Sequence, residues 1–328
     1  MAWPKGRPNT QSAKASDEQV MKLIAAKGLR AAARELDIDY AGLNRRRRRI
    51  ESRQNVIINT PTSGGHVQQL DRHPAAIQLG IQDGVVLVGS DAHYWPGITS
   101  TAHRAFLMFC AELKPKVVVM NGDEFDGARV SRWPDGSWED FKSKPSVLQE
   151  LEAVQSAFSE IEKATPQSRL VNCLGNHSSR FEMRLLQQVP EYAGVHGTKL
   201  KDHLPKWETC WAALVNNDTV IKHRYKGGIH ATHNNAMWAG RNVITGHLHS
   251  LKVTPLSDYN GTRWGVDCGT MADPYGPQFY NYTELNPLNW RSGFAVLTFK
   301  RGKLLWPEVV FVSAPDTIQW RGEEIKVA

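Results

Sequence analysis

The sequence predicts an α/β protein carried behind a small, basic, all-helical module. Three observations predict it. From about residue 80 onward, short β-branched runs alternate with amphipathic helical segments, the pattern of an α/β domain. Residues 16–52 instead hold three short helical segments and no strand pattern. The charge divides the same way: residues 1–54 carry 13 Lys+Arg against 6 Asp+Glu, whereas the remaining 274 residues carry 27 of each.

The composition excludes several classes. At 328 residues with 41% hydrophobic and 22% charged side chains, the chain is globular and long enough for one large domain plus a small one. No apolar run approaches the ~20 residues of a membrane helix, so no membrane partner is expected. The N-terminus has basic residues without an apolar stretch behind them, unlike a secretory signal. Cys110, Cys173, Cys210 and Cys268 are widely spaced, with no Cys-x-x-Cys. They read as reduced, buried thiols of a cytoplasmic protein.

Within the module, Ser16-Asp-Glu-Gln19 reads as a capping box opening a helix that Gly28 stops. A second helix covers 29–36, Asp37-Ile38-Asp39 makes a turn, and a third helix covers about 40–52. That third helix carries Arg45, Arg46, Arg47, Arg48 and Arg49. Residues 29–46 resemble the helix-turn-helix modules of DNA-binding proteins, with Asp37 where a glycine is usual in the turn. The resemblance and the basic excess imply a nucleic-acid partner, DNA first, with the five arginines as phosphate contacts. Five consecutive arginines cannot share one helix face, and a basic linker or oligomerisation module is the competing reading. The boundaries expected are 1–54 for the module, 55–79 for a linker and 80–328 for the larger domain.

In that domain, strands are predicted at 85–89, 117–120, 169–174, 219–222, 242–245, 264–267, 294–300 and 304–311, with helices at 101–113 and 146–164. Five of the strands end in a polar motif: Asp91-Ala-His93, Gly122-Asp123-Glu-Phe-Asp126, Gly175-Asn176-His177, His223, and Gly246-His247-Leu-His249. Ligand clusters at the carboxyl ends of strands converge on one crevice in α/β sheets. Oxygen and imidazole donors without cysteine suit borderline divalent ions such as Mn²⁺, Fe²⁺, Zn²⁺ or Ni²⁺. The fourth motif is open among His223, His230 and His233, with His223 at the strand end.

These five motifs, in this order, resemble the calcineurin-like metallophosphoesterases of bacteria and phages over residues 80–313. The resemblance implies a two-sheet β-sandwich flanked by helices, holding two divalent ions, with manganese first. It also implies roles. Asp91, His93 and His249 would hold one ion, Asn176, His223 and His247 the other, and Asp123 would bridge them. A bridging hydroxide would attack phosphorus in line. His177 would be the general acid, held by Asp126. Ser178 stands where the family usually has Asp or Glu, which puts a supporting or substrate contact in doubt. Gly127 and Leu174 stand where protein Ser/Thr phosphatases carry arginine, which argues against that substrate.

Arg180 and Arg129 are the candidate phosphate contacts, and Trp95, Trp133 and Trp138 are candidate cleft aromatics. The function expected is a metal-dependent phosphodiesterase acting on nucleic acid in the cytoplasm of a bacterial cell or phage-infected host. The alternatives are a small-molecule phosphodiesterase or phosphatase, and a DNA-binding regulator without catalysis.

Overall fold

The structure is a computed structural model describing residues 15–54, 56–63, 65–69, 75–132, 137–283, 286 and 288–327. The chain divides into two compact units, the first comprising 1–74 with 78–80 and the second comprising 75–77 with 81–328.

In the first unit, helices Asp17–Lys27, Leu29–Glu35 and Tyr40–Gln54 follow the sequence signals closely. The Ser16–Gln19 capping box forms, satisfying amides that would otherwise lack partners at the helix start. Asp37 has φ +50°, so it adopts the left-handed turn conformation that a glycine would take, one that short polar residues tolerate. Val20, Ile24, Ala32 and Leu43 build the core. The linker expected at 55–79 needs correction. Val56–Ile58 and Val67–Gln69 pair as antiparallel strands, and Val56 and Ile58 are buried in the helical core. Val56 and Ile58 are better covered than solvated, since burying a large aliphatic side chain stabilises by ~1.5–3 kcal/mol.

The second unit has two sheets flanked by helices. One sheet runs Glu323–Lys326, Thr317–Trp320, Glu308–Ala314, Gly293–Lys300, Gly84–Gly89, Val117–Asn121, Arg169–Cys173 and Glu208–Cys210, in that spatial order. The last four of these are mutually parallel, and Gly293–Lys300 pairs antiparallel with Gly84–Gly89. Strand Val117–Asn121 is buried throughout, which explains its unbroken apolar run. Helices Thr101–Leu113 and Val147–Ala164 contribute Phe106, Phe109, Val154 and Phe158 to the core over this sheet. The other sheet carries Lys252–Asp258, Gly261–Asp267, Asn242–Thr245, Thr219–Ile221 and Ala212–Val215 side by side, with helix Ala231–Ala239 packed on it.

The strand expected at 304–311 is interrupted. It breaks into Lys303–Leu304 and Glu308–Ala314, because Pro307 has no N–H for the ladder. The two sheets meet at their strand ends, where Asn121 Nδ2 donates to the Lys222 carbonyl (3.2 Å) and His223 Nδ1 to the Asn121 carbonyl (2.8 Å).

Candidate metal centre

Each motif occupies the turn immediately after its strand, and the turns are unusual. Asp91, His93, Asp123, His247 and His249 all have positive φ, between +40° and +71°. Non-glycine residues rarely take this conformation, and its concentration here marks a site where the backbone is bent to aim side chains inward. Two motif glycines permit the closeness this needs. A Cβ on Gly175 would lie 2.0 Å from Asp123 Oδ1, and one on Gly246 would lie 2.3 Å from Asp91 Oδ2.

The side chains converge in three overlapping sets of potential ligands. Asp91, His93 and His249 form one, Asp123, His223 and His247 another, and His93, Asp123 and His177 a third between them. Asp123 and His93 thus each belong to two sets. Asn176, next to His177 in the chain, has a buried Oδ1 with no hydrogen-bond partner. His223 Nε2 lies 2.9 Å from Asp123 Oδ2 but outside hydrogen-bonding geometry, so this buried nitrogen also has no hydrogen-bond partner. An imidazole nitrogen and a carboxylate oxygen this close, both buried, fit two ligands of a common cation. His230, at the start of helix Ala231–Ala239, is exposed, and His233 turns toward Asn234 (3.4 Å). Of the three candidate histidines, it is His223 that joins the cluster.

Backbone and neighbouring groups fix these ligands. Ser90 Oγ (2.5 Å) and the His247 amide (2.8 Å) donate to Asp91 Oδ2, and Asp91 Oδ1 lies 3.0 Å from His249 Nε2. The His177 amide donates to Asp123 Oδ1 (2.7 Å). Ser178 is buried and acts as a support: its Oγ accepts from the Asp123 and Gly175 amides and donates to Glu124. Burial alone would raise Asp91, but the His223 and His249 imidazoles outweigh it and hold its carboxyl at about 2. Burial works against charge on His223, yet Asp123 and Asp91 draw a proton onto it and push it up to about 9. Behind the cluster, Asp267 Oδ1 accepts the Ser250 and Gly269 amides (2.9 and 3.0 Å), and burial raises this carboxyl to about 6.

Asp126 Oδ1 lies 3.0 Å from His177 Nδ1, with the Asp126 carbonyl also 3.0 Å from Nδ1. The same Oδ1 meets His93 Nδ1 at 2.8 Å, a contact no sequence spacing announced. Burial lowers the His177 pKa, but the Asp126 hydrogen bond and the two aspartate charges more than offset that, leaving it raised. Arg180 lies beside it, Nη2 3.1 Å from His177 Nε2 and Nη1 donating to the Asp126 carbonyl.

Arg129 is placed otherwise. Its guanidinium donates twice to the Lys144 carbonyl and lies 4.4 Å above the Phe141 ring, away from the phosphate role expected for it. Of the expected cleft tryptophans, Trp138 is exposed and packs its ring against Phe141, and Trp133 lies outside the described residues. The aromatics that do pack on the cluster are Phe279, 5.1 Å from the His93 ring, and Trp290, 4.4 Å from the His249 ring. Both sit beyond the last motif in a segment whose sequence gives no sign of the role.

The five arginines also separate. Arg46 pairs with Asp17 (3.1 Å) and donates to the Ala15 carbonyl (2.5 Å), and Arg47 pairs with Glu51 (3.0 Å). Arg45, Arg48 and Arg49 are exposed. Among the described residues no helix is long and apolar enough to cross a membrane.

No protein-family model matches this chain. No curated protein matches it either. Solved structures do. Zinc-complexed Vps29 from Entamoeba histolytica is 13% identical, over 74% of this chain and 99% of that one, with a TM-score of 0.37. YfcE, a phosphoesterase from E. coli, is 13% identical over 74% of this chain and 100% of that one (TM-score 0.31). A dimetal phosphatase from Danio rerio is 10% identical over 76% and 99% (TM-score 0.35).

Proposed function

We propose that this protein is a calcineurin-like metallophosphoesterase that uses two divalent ions to hydrolyse phosphodiester bonds in nucleic acid, DNA first. The observation that carries the reading is the cluster itself. Asp123 is shared between ligand sets, and Asn176 Oδ1 and His223 Nε2 are buried without hydrogen-bond partners. Asp91, His93 and His249 would hold one ion, Asn176, His223 and His247 the other, with Asp123 between them. An oxygen and imidazole donor set fits Mn²⁺ first, with Fe²⁺, Zn²⁺ or Ni²⁺ also accommodated. Ions bound there supply Lewis-acid stabilisation of phosphoryl charge and a nucleophilic water at neutral pH.

The chain's own residues do the rest. Asp126 holds His177 Nδ1, which leaves Nε2 as the atom that can pass a proton to a leaving oxygen. Arg180 Nη2 lies 3.1 Å from Nε2, and swinging its guanidinium onto a phosphoryl oxygen would free Nε2 to carry that proton. The strained turns keep the ligands aimed before substrate arrives, so little reorganisation is needed at the reacting centre.

The test is purified protein supplied with Mn²⁺, assayed in parallel on bis-p-nitrophenyl phosphate, p-nitrophenyl phosphate, and labelled single- and double-stranded DNA. Cleavage of the diester and of DNA, abolished by chelator, is expected. Hydrolysis of the monoester alone would overturn the diesterase reading.

A further inference from the structure

Charge counting over the whole chain assigns the basic excess to the first unit. Within the second unit, however, one segment is as one-sided. From Thr219 to Ser257 there is no aspartate or glutamate, while Lys222, Arg224, Lys226, Arg241 and Lys252 are all present. The segment begins with the strand that delivers His223 to the metal centre and continues through helix Ala231–Ala239.

Its exposed part combines cations with aromatic rings. Arg224 and Lys226 are exposed, as are Tyr225 and Trp238 at 46% and 64%. Lys226 Nζ lies 4.5 Å from the Trp238 ring centre and 5.9 Å from that of Tyr225, and Lys222 Nζ lies 5.3 Å from the Tyr225 ring. The loop is pinned to the helix by the Lys226 amide, which donates to Asn235 Oδ1 (3.0 Å), and both rings lie near the one ammonium.

We propose that Lys222, Arg224, Tyr225, Lys226 and Trp238 form a strip that binds single-stranded nucleic acid and leads it to the adjoining metal centre at His223. Exposed ammonium–ring contacts are weak and exchange readily. A polyanion with flat bases would replace both partners at once, giving its phosphates to the lysines and its bases to the rings. A folded acidic protein would satisfy the cations but leave two large rings without a flat counterpart. The inference rests on the phosphodiesterase reading for its orientation toward the centre, but the strip can be tested apart from it.

The experiment uses full-length protein carrying Arg45→Ala, Arg48→Ala and Arg49→Ala, so that the first unit contributes little. Fluorescence anisotropy with labelled dT and rU 20-mers is compared with and without Tyr225→Ala plus Trp238→Ala, and separately with Lys226→Gln. The aromatic pair should weaken binding at least tenfold, and Lys226→Gln should lower the slope of log affinity against log salt by about 0.7. Hydrolysis of bis-p-nitrophenyl phosphate should be unchanged in each. Unchanged oligonucleotide affinity and slope would overturn the strip, as would an equal loss on a blunt duplex or displacement of the oligonucleotide by polyglutamate at equal charge. Loss of oligonucleotide binding in a protein that hydrolyses no diester would sustain the strip while removing the phosphodiesterase reading.

Discussion

The two units solve the problem of concentrated charge in opposite ways. In the second unit Asp91, His93, Asp123, His223 and His249 are buried, and Asp91, Asp123 and His223 are tied to backbone amides or a carbonyl, most of the set lying on turns that few residue types can adopt. In the first unit the arginines sit on a solvated helix, and only those that find an acidic partner are drawn in. Buried charge is costly and must be matched group by group, whereas surface charge is tolerated almost anywhere and carries little positional information. A motif in the second unit therefore implies a position. A run of arginines in the first implies only a field.

The sharpest way to break this contrast is to remove a ligand. Asp123→Asn or His249→Ala is expected to abolish diester hydrolysis and lower bound metal, measured by elemental analysis, with the circular dichroism spectrum retained. Full metal content and activity in both variants would dissolve the cluster as a centre. His177→Ala should keep both metals and lower turnover on the order of 10²–10⁴-fold on substrates with alkoxide leaving groups. The loss should shrink for p-nitrophenol, which leaves without a proton, and an equal loss on both would remove His177 as general acid.

For the first unit the expectation is graded by exposure. Replacing Arg45, Arg48 and Arg49 with alanine should flatten the salt dependence of DNA binding by about 3 in the log–log slope and leave small-diester hydrolysis unchanged. Replacing Arg46 and Arg47 should instead lower the melting temperature, because those side chains hold the module together. If all five contributed equally to binding, the exposure argument would fail.

A smaller effect concerns Glu150, buried and accepting the Gly127 and Ala128 amides. Burial, aided by Asp126, raises its carboxyl from 4.5 to about 8. The folded state then keeps a proton that the unfolded chain releases above 4.5. Its stabilising contribution is complete below that value and is lost as pH rises through about 8. Glu150→Gln should flatten the decline in thermal stability between pH 6 and 9 by about 1–2 kcal/mol. Parallel profiles for the variant and the natural protein would contradict the assignment.

Much of the second unit was legible in advance because its signals are local. Helix Thr101–Leu113 and strand Asn242–Thr245 fall where periodicity and β-branched runs put them, and the five motifs meet as their order implied. What was illegible is nonlocal. Asp126 reaches His93 as well as His177, Ser178 supports three groups on two turns, and Trp290 packs on His249 from a segment without a motif. The strand pair after residue 55 was missed because two strands of three residues, separated by Pro and Gly, resemble a linker until their apolar side chains are seen in a core.

The left-handed backbone at Asp91, His93, Asp123, His247 and His249 bears on how this site should be dissected by mutation. Alanine is the customary blank, yet at these positions it removes the ligand and also inserts a residue that disfavours the turn by about 1–2 kcal/mol. Glycine removes the ligand and keeps the turn. At each of the five, the glycine variant should melt above the alanine variant, while both lose metal alike. The alanine–glycine difference reads the demand of the backbone, and the loss common to both reads the demand of the ion. Asn176 and His223, whose backbones are ordinary, should show no such advantage for glycine.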